Sequence, residues 1–124
     1  MNTNLGKWII SVLTLMLVGS MASAHSVSLA WTVSLDDVAA SCTVAGSCQQ
    51  TVYRAPGACS ATSSFISLGV LTASQATYTD ATVPGGTWCY AVSFTLNGVE
   101  SAKDTITVSL LPAAPTGIAV TGKT

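Results

Sequence analysis

The chain has 124 residues and few charges, four basic and five acidic side chains, for a formal net charge of −1. That balance excludes the basic footprint of a nucleic-acid binder or of a protein held on an anionic membrane surface. Residues 25–124 are rich in Ser, Thr, Ala and Val, a composition that suits strands and turns rather than helices.

Residues 1–24 read as an export signal. Lys7 is the only charge, Trp8 to Gly19 is apolar, and Ala22-Ser23-Ala24 offers the small-x-small pattern of a cleavage site. An apolar stretch of about 12 residues falls short of the ~20 that a membrane-spanning helix needs. No cysteine stands at the cleavage point, so a lipid-anchored form is not expected. The expected product starts at His25, is secreted (extracellular or periplasmic), and carries no membrane insertion after cleavage. It bears three basic and five acidic side chains.

From His25 onward the apolar residues alternate with polar ones, with turn signals between the segments. "HSVSLAW" places Val27, Leu29 and Trp31 on one face. Asp36 to Gly46 is small, polar and irregular, and reads as a loop carrying Cys42. "QTVYR", Gln50 to Arg54, is a short strand that ends at Pro56-Gly57. Phe65 to Leu71 and Ala76 to Asp80 are two more strands, followed by a turn over Val83-Pro84-Gly85-Gly86. "WCYAVSF" then alternates strongly, with Trp88, Tyr90, Val92 and Phe94 on one face. Asn97-Gly98 is the strongest kind of hairpin signal, and Asp104 to Leu110 is the strand after it. Together with Val52, these inward positions form the expected core. Six strands at this spacing, with no sustained helical period, predict an antiparallel sandwich.

Four cysteines, Cys42, Cys48, Cys59 and Cys89, fit two disulfides in an oxidising compartment, with three pairings open. Their spacing lacks the C-x2-C pairs of a zinc site, and the chain has one histidine.

That histidine would be N-terminal after cleavage. Exported copper oxygenases on related sandwich folds brace copper with such a residue, but they need a second histidine, and His25 reads as an ordinary strand residue. Asp36 and Asp37 are adjacent carboxylates in a loop. Calcium takes six or more oxygens and no other acid is near in sequence, so both read as solvated. Asp80 is expected to bond local backbone at its strand's end. No G-x-S-x-G motif and no triad can be built with one terminal histidine. The chain is therefore expected to be no enzyme, with no catalytic, cofactor or metal site. A carbohydrate platform would rest mainly on Tyr53, because Trp31, Trp88 and Tyr90 are expected to face inward.

The order "HSVSLAW", "TVYRA", "ATYTDATVPGGTWCYAVSF", "NGVESA" resembles successive strands of a fibronectin type III domain of the bacterial secreted kind, over about 25–111. The resemblance implies an immunoglobulin-like sandwich. In it Trp31 falls on the core tryptophan of strand B, Val52 and Arg54 on strand C, and Tyr78-Thr79-Asp80 on strand E. Trp88 stands where that family places the tyrosine of its corner, with an indole N–H in place of the phenol. Gln50 stands where an aromatic is usual. Strand C ends and strand F begins at one pole, which implies Cys59–Cys89, and Cys42–Cys48 at the other pole.

The resemblance also leaves strand A without room before His25, while "AAPTGIAVTG" looks like that strand displaced to the C-terminus. Residues 112–124 then form a strand-A-like tail around Pro115, Ile118 and Val120. Residues 111–115 span at most about 17 Å, whereas a strand of seven or eight residues is about 25 Å long. Insertion into its own domain in the family's direction is thus too long a reach. The tail fills a neighbour's vacancy, pairs in its own domain in another direction, or stays unpaired. The implied function is a secreted, non-enzymatic protein- or surface-recognition module of the cell-adhesion kind. Its partner would be a protein, or a second copy, met through the open edge beside strand B. The alternative is a subunit that polymerises head to tail by strand donation.

Overall fold

The structure is a computed structural model, and it describes residues 25–112 and 114–124. The stretch read as an export signal lies outside the described residues. Seven strands follow in chain order: β1 His25–Ala30, β2 Cys48–Pro56, β3 Ile66–Thr72, β4 Thr77–Val83, β5 Gly86–Leu96, β6 Val99–Glu100 and β7 Asp104–Leu110. The described residues contain no helix. All pairings are antiparallel.

One sheet is the pair β1-β4, and the other runs β3-β2-β5, with β6 and β7 in succession along the far edge of β5. The short break between β6 and β7 is bridged at Ser101, whose N–H donates to Phe94 O at 2.7 Å and whose Oγ accepts from Phe94 N at 2.9 Å. Asn97 and Gly98 take φ of 50° and 82°, the paired positive values of a type I′ turn, which matches the twist of the two strands that it joins.

The apolar faces meet between the sheets. Val27 of β1, Val83 of β4 and Tyr90 of β5 form the buried centre, with Leu29, Leu68, Trp88, Val108 and Leu110 packed on it. Val52 and Phe94 are buried as well, whereas Trp31 and Val92 are half-buried. Trp31 lies one residue beyond β1, where its N–H donates to Ala76 O at 3.0 Å. Val83 does not belong to the turn where its Pro-Gly-Gly neighbours suggest it. It is the last residue of β4, pairs with His25 and is fully buried.

Strand β5 is buried on both faces over Cys89-Tyr90-Ala91. Tyr90 faces the other sheet. Cys89 and Ala91 face outward and are covered because the chain after β2 folds back over them. The disulfide Cys59–Cys89 holds that cover (Cα–Cα 4.8 Å), with Cys59 N donating to Thr107 Oγ1 at 3.1 Å. The second disulfide, Cys42–Cys48, ties the β1–β2 loop to the start of β2. These are the pairs that the resemblance implied, and both fit an oxidising compartment.

The tail forms no strand among the described residues, and Ile118 and Val120 are exposed. Its departure point is fixed. A Cβ on Gly85 would lie 2.9 Å from Pro112 Cα, so only glycine lets the chain pass so close there.

A candidate binding groove between the sheets

Two strands lie over five, and the two flanks of the sandwich end differently. On the β3/β4 flank, Tyr78 closes the seam. Its ring packs on Gly69, where an added Cβ would come within 3.3 Å, and its hydroxyl donates to Leu68 O at 3.2 Å. Beside it lies a polar clamp between the sheets. Asp80 of β4 accepts from Arg54 Nη1 at 2.6 Å and from the Tyr90 hydroxyl at 2.9 Å. The Arg54 guanidinium stacks over Trp88, 4.7 Å from the ring centroid. Asp80 therefore does not bond local backbone as expected. A short carboxylate on an inward-facing strand position meets the cation of the opposite sheet instead. Burial first, and then the hydrogen bond and negative charge of Asp80, push the Tyr90 phenol up to about 12. The Trp88 indole N–H donates to Pro84 O at 2.9 Å and pins the β4–β5 turn.

A second polar knot closes the loops at the far pole. Asp37 is 8% exposed and Gln50 is 1% exposed. Asp37 Oδ2 accepts from Gln50 Nε2 at 3.1 Å and from Ser74 N at 2.7 Å, and Gln50 Nε2 also donates to Thr72 O at 2.9 Å. The expectation that Asp36 and Asp37 are both solvated is corrected for Asp37, which ties the β1–β2 loop to the β3–β4 turn. Asp36 is exposed. Asp37 also lies close to Cys42 and Cys48. The sulfurs of that trio are joined to each other in the disulfide, so it does not offer thiolates to a metal.

The β1/β7 flank is open. Among the described residues β1 pairs only with β4, and β7 only with β5. Between those two edges runs a groove of about 360 Å³ lined by Leu29, Trp31, Gln50, Tyr90, Phe94 and Ile106, among others. Ile106 lies on the β7 face that looks toward the opposite sheet, paired with Tyr90, yet is 58% exposed. Two buried polar atoms of groove residues have no partner among the described residues: Trp31 Nε1, a donor, and Gln50 Oε1, an acceptor. The two bonds made by Gln50 Nε2 fix the amide's orientation, so its oxygen cannot be satisfied by a flip.

A third cluster sits on the outer face of the larger sheet. Glu100 Oε1 accepts from Tyr53 Oη at 2.5 Å and from Ser93 Oγ at 2.6 Å, with Lys103 Nζ 3.6 Å away. The Ser93 and Tyr53 bonds, with Lys103, hold the Glu100 carboxyl below the usual range. Lys103 Nζ lies 4.6 Å over the Tyr53 ring, and Phe65 meets that ring edge-on at 6.1 Å.

His25 lies in β1, its Nε2 buried without a partner among the described residues. Pro115, Ile118 and Val120 lie in the exposed tail. Sequence reasoning missed Gln50 and Asp37 as a linked pair. Their separation of 13 residues across a loop gives no periodic signal. Among the described residues no helix is long and apolar enough to cross a membrane. Comparisons with protein-family models, curated proteins and solved structures find no match.

Proposed function

We propose that this chain is an exported, non-enzymatic recognition module that binds an extended protein segment in the groove between β1 and β7. The observation that carries this reading is an unpaired strand edge beside a largely apolar groove between the sheets. A bare edge offers backbone N–H and C=O groups at strand spacing, and an added strand is the partner that satisfies them all.

The fibronectin type III resemblance supports the same reading. On that resemblance the β1-β4 pair and the β3-β2-β5-β7 sheet stand for the family's two sheets with strand A absent. On the same resemblance, the Trp88 indole bond to Pro84 O stands in for its corner bond. A sugar platform on Tyr53 is disfavoured, because Lys103 covers one face of that ring and the hydroxyl is engaged by Glu100.

Backbone hydrogen exchange tests the reading. Adding peptides of alternating apolar and small residues should slow exchange at the outward amides of β1 and shift Trp31 emission. Slowing confined to the loops, with β1 unchanged, would move recognition away from the groove.

A further inference from the structure

The recognition reading leaves the occupant open, and the tail supplies one. Residues 115–121, "PTGIAVT", form no strand and leave Ile118 and Val120 exposed to solvent. Their alternation puts Thr116, Ile118 and Val120 on one face and the small Gly117 and Ala119 on the other, as a strand laid over a groove requires. At about 3.3 Å per residue, these seven residues match the six of β1 in length.

The geometry of departure decides between the chain's own groove and another's. β7 ends at Leu110 opposite Gly86, and β1 begins at His25 opposite Val83, so tail and β1 start at the same pole. A tail turning straight back would run parallel to β1. Running antiparallel to β1 in its own domain would first require crossing the whole sandwich, farther than residues 111–115 reach. Pro112 and Pro115 oppose a tight reversal as well. Each fixes its own φ, lacks an N–H and drives the residue before it toward extended backbone. Pro112 is moreover seated against Gly85. The described residues after Leu110 are all exposed, so the tail is not laid in its own groove.

We infer that the groove receives residues 115–121 of a second copy of this chain, laid antiparallel to β1, so that copies join head to tail. This rests on the groove as a recognition site. Ile118 and Val120 cover the apolar wall formed by Leu29, Phe94 and Ile106. The donated strand brings backbone groups to the free edge of β1. Because the donor leaves from one pole and enters at the other, the contact is heterologous and does not close on a pair.

The test is the native mass of the processed chain, residues 25–124, by light scattering over a concentration series, for the unaltered protein and two variants. Ile118→Asp with Val120→Asp disables the tail. Ile106→Lys disables the groove at an exposed position whose change leaves the fold intact, checked by circular dichroism. The unaltered chain is expected to grow with concentration, each variant alone to be a monomer, and their mixture to stop at a one-to-one dimer. A free peptide of residues 112–124 should dissolve the oligomers.

A monomeric unaltered chain at all concentrations overturns the inference, as does a mixture that stays monomeric while the unaltered chain assembles. The peptide separates the two levels of the argument. If the tail peptide fails to bind the tail-disabled variant but other extended peptides slow exchange in β1, only the identity of the occupant falls. If no extended peptide binds, the groove reading falls with it.

Discussion

The two flanks of the sandwich are built from the same materials and end in opposite states. On the β3/β4 side, Tyr78 covers Gly69 and the Arg54–Asp80–Tyr90 clamp crosses between the sheets. On the β1/β7 side the smaller sheet runs out, and Ile106 is left half in water. Apolar content does not separate the flanks. What separates them is that one seam has side chains reaching across it in the Arg54–Asp80–Tyr90 clamp, while no side-chain bond crosses the other among the described residues. Buried polar atoms without a partner occur on both sides, Arg54 Nε on the closed one and Trp31 Nε1 and Gln50 Oε1 on the open one. A seam closed by its own side chains belongs to stability, and a seam open along a bare strand edge is available for binding.

The sharpest way to break this contrast is Asp80→Ala. Removing the carboxylate leaves Arg54 and the Tyr90 hydroxyl without their partner in the closed seam, at a cost of about 3 kcal/mol. Urea unfolding should show the midpoint falling steeply. A loss below about 1 kcal/mol would mean that the clamp does not hold the sheets together.

Asp37→Ala strips Gln50 Nε2 and Ser74 N of an acceptor at the loop pole and should cost about 1–2 kcal/mol. The same unfolding measurement checks it, and thermal melts should rank it below Asp80→Ala.

Alkali probes the closed seam without mutation. The folded-state value of Tyr90, about 12, lies above its ordinary value of 10.0. A group raised in the folded state contributes its full stability below the unfolded value and loses it as pH climbs through the folded one. The melting temperature should therefore decline between pH 10 and 12, and a Tyr90→Phe variant should lose less over that window.

The smallest expected effect is on the open side. Ile106→Lys should change stability by no more than about 0.5 kcal/mol, because nothing in the single copy depends on that side chain. A large loss there would show that the open flank is a structural seam after all.

What was legible in the chain was whatever depends on near neighbours. The alternation in "WCYAVSF" gave the inward face of β5, and Asn97-Gly98 gave its hairpin, because both signals sit within a few residues. What escaped was set by distant partners. Val83 looks like the rim of a Pro-Gly-Gly turn, and only its pairing with His25 makes it core. Ala55 and Ala91 lie on the outward face of their strands, where alternation predicts exposure, yet both are buried; Ala55 sits beside Cys89, which is tied to the loop carrying Cys59. Gln50 reads as a flaw in an apolar face until Asp37 and Thr72 O are seen to receive its amide. The groove was legible only as an open edge. Its lining by residues of both sheets, such as Trp31 and Ile106, needed their three-dimensional placement.

The bond between Cys59 and Cys89 also bears on how the molecule gets built. β5 is the hub that pairs with β2, β6 and β7, while β1 must find β4 from far along the chain, with His25 opposite Val83. Sandwiches dominated by such distant pairings fold slowly. Once Cys59 and Cys89 are joined, β3 and β4 hang in a closed loop from the hub. The route along covalent bonds from β1 to β4 then runs through the sulfur bridge and is shortened, which lowers the entropy lost in bringing the small sheet together. Oxidation of these thiols should thus act as an accelerator of refolding as well as a brace. The oxidised chain should regain its native Trp signal faster than the reduced one.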